Sequence, residues 1–558
     1  MPSSDLASQV SIKISGNDVQ PDVMGKLVSL IIDQHTHIPD MFTLRFNDPG
    51  LQLMDNGPFA LASEIEISAE KQGGDKVLLL KGELTAIEPE FREGMIAELV
   101  LRGFNRLHRL FREKITKAYV NVKDSDLAEQ IARDASLETQ IDTTNTVYDH
   151  VYQDNLSNLE FLMKRAWRIG YECFIQENTL YFRKPPEGSA QITLTWGGDL
   201  SNFRPRMNLA EQVDEVLVKG WDIDKQEPIV GRAQTGNLYP KLEENSNGAT
   251  SAQSFGPGKL VIVNQNVISQ AEADALAAAR LNEISGAFVE AEGIVLRRPD
   301  IRAGQIVKLE ALGKRFSGEY LVTRTTHMYS PEGLKTIFSV SGTRSGLLSE
   351  QIGAQKSAPR WFGALPALVT NTDDPQKWGR VKLKYPWLAD DVESDWARVM
   401  GFGAGPNAGL CVIPNIGDEV LVIFAHGDIN QPYVLGSVWN GQSDLPEQTR
   451  NAPSGEMPQV QTWRTRDGHS FVFYENADKK IEIKTIDGRK IELSDKDKKI
   501  TIQTDNAKII VEDNKISIQS STEIKIKAET NLKLEASGNV DIQAGGQVSI
   551  KGAIINLN

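Results

Sequence analysis

Few side chains in this sequence stand close enough together to do chemistry. His35-Thr36-His37 is the one close pair among seven histidines. On a strand, residues two apart share a face, so two imidazoles could meet a metal ion. No third ligand stands nearby and no HExxH motif occurs, which makes a structural role the expectation. Asp373-Asp374 and Asp390-Asp391 could share general acid–base work, but turn-rich surroundings favour loop acids. Gly401, Gly403, Gly405 and Gly409 approach a phosphate loop. Pro406 and Ala408 occupy the third-glycine position in the two possible registers, and the stretch from Gly256 to Leu260 lacks the Walker spacing and its Ser/Thr. The two cysteines, Cys173 and Cys411, both lie in apolar runs without a CxxC. Both are expected to be buried structural thiols, in keeping with assembly in a reducing cytoplasm. No catalytic residue, cofactor or metal site is expected.

The elements that would position such groups are mostly strands. The chain has 558 residues, 40% hydrophobic and 24% charged, with a formal charge of −14. That length accommodates about three to five domains, and the acidic balance disfavours nucleic acid as a partner. The start, MPSSDLASQV, lacks the basic and apolar stretches of a secretory signal. Residues 1–117 alternate as short strands and predict a β-barrel. Residues 118–190 predict an α/β insert. One of its helices opens at Ser125, with Leu127, Ile131 and Ala135 on one face. The other carries Leu159, Leu162, Met163 and Ala166 inward and stops at Gly170. A second barrel is expected over 191–345, interrupted by one Ala-rich helix that should pack closely on a sheet. The polar stretch 240–258 is expected to be an exposed loop. Residues 346–360 predict a linker, and 361–450 a small OB-type barrel with strands in WGRVKLKYP, SDWARVMGF, GLCVIP, DEVLVIFAH and PYVLGSVWNG.

Residues 451–558 carry a repeat. Apolar pairs with one residue between them recur from Ile481/Ile483 through Ile491/Leu493, Ile500/Ile502, Ile509/Val511 and Ile516/Ile518 to Ile524/Ile526, Leu532/Leu534, Val540/Ile542, Val548/Ile550 and Ile555/Leu557. The step is nine or ten residues at first, then about eight from Ile516 onward. Each unit is a short strand with one apolar face, too small to bury that face alone. Three chains around one axis supply enough apolar side chains per layer to make a core, at ~1.5–3 kcal/mol for each one fully buried. The expectation is a homotrimer whose needle core contains Ile516, Ile518, Ile524, Ile526, Leu532, Leu534, Val540, Ile542, Val548 and Ile550.

The residues after 378 also resemble a known family. Gly379-Arg380-Val381-Lys382, Tyr385-Pro386-Trp387-Leu388, Trp396-Ala397-Arg398-Val399, the run Pro414 to Val422, and Leu435 to Gly441, in this order, resemble VgrG-type spikes of contractile injection systems and the hub-spike proteins of contractile phage tails. Residues 1–345 resemble the family's hub more loosely. The resemblance implies a mainly β chain: two hub barrels with an α/β insert, an OB barrel, and an intertwined trimeric β-helix as needle.

It further implies a baseplate spike that joins a hexameric inner tube to the tip and pierces an envelope mechanically. The implied partners are the tube protein, baseplate components, possible effector cargo and a PAAR-type cap docking on Ile554, Ile555, Asn556, Leu557 and Asn558. The target membrane is met only on firing. Some family members carry a lysozyme domain before the needle or a toxin after it. Here about 40 residues separate Gly441 from the first repeat, and the chain stops within a repeat, so neither is expected. The compact form most resembles extracellular, phage-tail-like injection systems, with a phage spike or a type VI VgrG carrying effectors as the alternative. A fibre-like adhesin fits less well, since no aromatic residue follows Tyr474, and an envelope hydrolase lacks a site.

Overall fold

The computed structural model describes residues 10–71, 74–94, 96–223, 225–236, 239–342, 361–389, 391–451 and 459–556. The expected linker 346–360, Asp390, Leu557 and Asn558 lie outside these. Strands account for 44% of the chain and helices for 14%, so the fold is mainly β. Two units are distinguishable, residues 1–438 and 439–558. Among the described residues no helix is long and apolar enough to cross a membrane.

Alternation builds the first unit. In Met41–Asn47, Phe42, Leu44 and Phe46 are buried while Met41, Thr43 and Arg45 are half-buried, the period-2 pattern of a sheet with one face on a core. Phe42 lies opposite Gly103 on the next strand. A Cβ at Gly103 would fall 2.4 Å from the Phe42 ring and 2.0 Å from the Glu83 carbonyl oxygen, so only glycine fits.

The two expected barrels share one sheet of eleven strands. Its order runs from Leu200–Met207 through Val289–Leu296, Gly333–Val340 and Arg324–Ser330 to Leu27–His35, Met41–Asn47 and Ile96–Phe104. It ends with Lys76–Arg92, Glu64–Glu70, Val10–Ile14 and Asn17–Asp18. The seam is the antiparallel pairing of Leu27–His35 with Arg324–Ser330, His35 opposite Arg324 and Leu30 opposite Tyr329. Each half keeps its own apolar core, one around Leu30, Phe42 and Ile65, the other around Val295, Val307 and Phe338.

The insert is tied by the antiparallel ribbon of Lys114–Val122 and Tyr148–Ser157. Its second helix, Asn158–Ile169, is set by a capping box. The Glu160 N–H donates to Ser157 Oγ at 3.2 Å, and the Ser157 N–H to the Glu160 carboxylate at 2.9 Å. Gly170, at φ 71°, closes it. Leu159, Phe161, Leu162 and Ala166 are buried and Met163 is half-buried. The first helix runs Asp124–Asp134 and is capped at Lys123, not Ser125. The Asp126 carboxylate accepts the Lys123 N–H at 3.0 Å, and Ser125 sits inside the first turn, its N–H donating to Thr144 Oγ1 at 3.1 Å.

The stretch 240–258 is not simply an exposed loop. It contains the helix Gly248–Ala252, with Leu242, Ala249 and Ala252 buried. The small residues allow it: a Cβ at Gly248 would meet Gln212 Oε1 at 1.9 Å, a close approach that hydropathy does not reveal. The Ala-rich helix Gln270–Gly286 does pack tightly, since a Cβ at Gly231 would fall 2.2 Å from the Ala273 backbone.

The small barrel's sheet orders Lys382–Lys384, Leu365–Asn371, Glu419–Phe424, Pro432–Ser437 and Arg398–Val399. Bridges Val381–Ala397 and Lys384–Glu393 bring its two edges together. Leu365–Asn371 supplies a strand the sequence reading missed, whereas GLCVIP is not in this sheet. Its first residues belong to an exposed hairpin, Phe402–Gly405 with Ala408–Leu410. Cys411 is consequently exposed, against expectation; Cys173 is buried, its thiol pushed up to about 12 by burial.

The second unit is a meander. Val460–Arg464, Ser470–Tyr474, Lys480–Lys484, Lys490–Ser494, Lys499–Gln503, Ala507–Glu512 and Lys515–Ser520 form one antiparallel sheet in chain order. Five- or six-residue strands joined by tight turns pair only with their sequence neighbours. The repeat predicted strands but did not specify this in-chain antiparallel pairing for the pairs up to Ile516/Ile518. Residues 521–556 form no strand within the chain.

Candidate assembly surface

Register aligns the repeat's apolar residues into two adjacent columns on one face of the meander. One column runs Trp463, Phe471, Ile483, Ile491, Ile502, Ile509, Ile518, each directly opposite the next. The other runs Phe473, Ile481, Leu493, Ile500, Val511, Ile516. Directly opposed residues share a face and interact as cross-strand pairs.

The exposure of this sheet is inverted. Ile491, Ile502 and Ile518 are 40%, 45% and 53% exposed, while Thr501 and Glu492 on the other face are 2% and 8% exposed. The covered polar face is held by ion pairs: Lys480 and Lys490 each place Nζ 3.1 Å from Glu492 Oε2. Burial alone would raise the Glu492 carboxyl, but the two lysines outweigh it and hold it below its ordinary value. A contiguous open apolar face of this kind marks an interaction surface.

Of the needle residues expected from sequence, Ile516 and Ile518 lie in these columns, on the meander's last strand. Ile524, Ile526, Leu532, Leu534, Val540, Ile542, Val548 and Ile550 are all at least 50% exposed and are not paired into strands within the chain. Ile554, Ile555 and Asn556 are exposed. Sequence reasoning missed Trp463, Phe471 and Phe473 as members of the face. Phe471 and Phe473 carried the same spacing of two, in the stretch just before the aliphatic repeat, whereas Trp463 carried no such signal.

His35 is buried and its ring is lowered to about 4, by burial first and then by Arg324; His37 is lowered to about 3 by burial and by His35. Among the described residues no three metal-ligating side chains cluster. Asp374 is buried in a turn, where it takes Arg380 Nη2 at 2.7 Å and the N–H groups of Gln376, Trp378 and Arg380. The Arg380 bond, with these N–H groups, holds its carboxyl far below the carboxylate range. Asp373 is exposed beside Lys377. Gly403, Gly405 and Gly409 belong to the exposed hairpin.

With a shared eleven-stranded sheet, a small closed barrel and a repeat-built apolar face, the molecule is a β scaffold with an open apolar surface. The chain belongs to the family of the Alg8 N-terminal domain, whose family model matches residues 9–330. Residues 365–439 match the type VI secretion system/phage-baseplate injector OB domain.

Among curated relatives, the type VI secretion system spike protein VgrG4b of Pseudomonas aeruginosa is 38% identical over 96 residues, 16% of this chain and 12% of that protein. VgrG1a of the same species is 34% identical over 112 residues, 18% of this chain and 17% of that protein. The matched stretches thus span less than a fifth of these relatives. Among solved structures, a chain of the half-lidded Francisella PdpA–VgrG complex aligns with a TM-score of 0.49 at 8% identity, covering 92% of this chain and 88% of that one. An E. coli type VI secretion component, described as similar to the T4 phage tail proteins gp27 and gp5, aligns with a TM-score of 0.48 at 15% identity over 76% and 99%.

Proposed function

We propose that this chain is the central spike and hub of a contractile injection system, assembled as a homotrimer and acting mechanically rather than as an enzyme. The observation that carries the reading is the inverted meander, with its polar face covered and its apolar columns open. Three such sheets facing a common axis close into a three-walled shaft, each covering the columns of the others. Removing those columns from water is favourable at roughly 25 cal/mol per Å² of apolar surface. The pairs beyond Ser521 find strand partners in the other two chains, which also removes free sheet edges. The injector OB domain and the spike proteins among the relatives support the same reading.

In this role the hub segments meet the inner tube and baseplate, and the exposed Ile554 and Ile555 receive a separate cap of the PAAR type. Effector cargo is a further partner. The particle is assembled in the cytoplasm and meets the target membrane on firing. Light scattering on the purified full chain tests the core of the proposal. A mass of three times 61.7 kDa at micromolar concentration is expected, and a monomer would overturn it.

A further inference from the structure

The α/β insert and the small barrel meet across a seam unlike the cores on either side. Tyr152, from the insert strand Tyr148–Ser157, is buried among barrel residues, its ring 6.5 Å from that of Tyr385. Three bonds cross here: the Tyr152 N–H donates to Asn430 Oδ1 at 2.8 Å, Trp361 Nε1 donates to Asp154 Oδ2 at 2.5 Å, and His150 Nε2 lies 3.1 Å from the Glu393 carbonyl oxygen. A carbonyl only accepts, so His150 carries its proton on Nε2. Four other polar atoms at this seam are buried without a partner: His150 Nδ1, Tyr152 OH, Asp154 Oδ1 and Tyr385 OH. Buried polar atoms are normally bonded, and each orphan is better off hydrated. Separating the two bodies would hydrate all four.

We infer that this seam is a separable joint, and that a proton on His150 Nδ1 opens it while the insert and the barrel each stay folded. The proton would place a charge in a buried seam, which is costly. From the barrel, the Asp395 carboxylate, the Glu393 backbone carbonyl and the Asn430 side chain face His150 and favour that charge, and Lys382, itself bonded to the Glu393 carboxylate at 2.9 Å, opposes it. Burial outweighs them and keeps the ring below its ordinary value. Within the insert strand, Tyr152 stacks beside His150 at 5.8 Å. Asp154 runs the other way: burial raises its carboxyl, so its own protonation favours the closed seam. The joint does not depend on the trimeric spike reading and can fail or hold separately from it.

Hydrogen exchange on the full chain, corrected for intrinsic rates, tests the joint. Between pH ~7.5 and ~5, segments 148–157 and 361–371 should lose about tenfold or more in protection while Met41–Asn47 does not. In His150→Gln, whose amide can still donate to Glu393 but cannot titrate, the loss should vanish. In Asp154→Asn, freed of the opposing titration, it should be at least as large. No loss in the unaltered chain, an equal loss in His150→Gln, or a matching loss at Met41–Asn47 would each overturn the inference.

Discussion

His327 lies fully buried on the seam that joins the two halves of the hub, its Nδ1 2.9 Å from Thr336 Oγ1 and its Nε2 3.3 Å from Gln34 Oε1. Burial first, then Arg302, lowers it from 6.5 to about 3, and His35 on the paired strand is lowered to about 4. Both are held neutral in the fold, so their contribution to stability is full above about pH 6.5 and is lost as pH falls through 4 and then 3. Asp40 has the opposite sign. Burial raises it from 3.8 to about 7, so its contribution is full below 3.8 and is lost as pH rises through 7. With His37 the histidines outnumber it, and the hub should lose stability between about pH 6.5 and 4. His327→Gln removes one titrating group, so melting temperatures measured from pH 8 to 4 should fall less steeply for that variant. Parallel profiles would mean that His327 takes no part.

At the scale of single elements, caps and close contacts fix what periodicity leaves loose. The helix Asn158–Ile169 begins at Ser157 because side chain and backbone satisfy each other there. Ser157→Ala should cost about 1 kcal/mol. Hydrogen exchange of that helix should then accelerate about fivefold, with little change in the meander. An unchanged rate would show that packing of Leu159, Phe161 and Leu162 alone holds the helix. The strands of the meander are individually marginal, since five residues with one apolar face cannot stand alone. Their stability is cooperative along the columns, which makes the order of the repeats more important than any one strand.

For the whole molecule, the trimer proposed above needs a part that holds it together. The eleven-stranded sheet has its own apolar cores on both halves. The meander and the pairs beyond it leave apolar side chains open. Deleting 480–558 removes every aliphatic pair of the repeat and leaves only Trp463, Phe471 and Phe473 of the columns. Under the spike reading, sedimentation of this truncation at nanomolar concentration should show monomers under conditions where the full chain is trimeric. A truncated chain that stays trimeric and as heat-resistant as the full one would shift the source of assembly to the hub.

The sequence alone determined those features that short-range pattern encodes. The spacing of two in Ile491/Leu493 and Ile500/Ile502 fixed strands with one apolar face, Gly170 fixed a helix end, and the ordered run from Gly379 to Gly441 fixed the family resemblance. The tertiary structure decided which distant strands meet. Nothing in LVSLIIDQH or RTTHMYS says that these two strands, nearly 300 residues apart, pair and weld two expected barrels into one sheet. Local alternation specifies a face, but the partner on each edge is chosen by global packing. The same limit explains GLCVIP, apolar by composition yet left out of the barrel's sheet with Cys411 exposed and Ile413 against the core, while Leu365–Asn371 took the place in the sheet. It also explains why Trp463, Phe471 and Phe473 joined the candidate surface only once register placed them opposite the aliphatic repeat. Burial is a property of what packs above a residue, and that neighbour is named by the fold rather than by the residue's own stretch of chain.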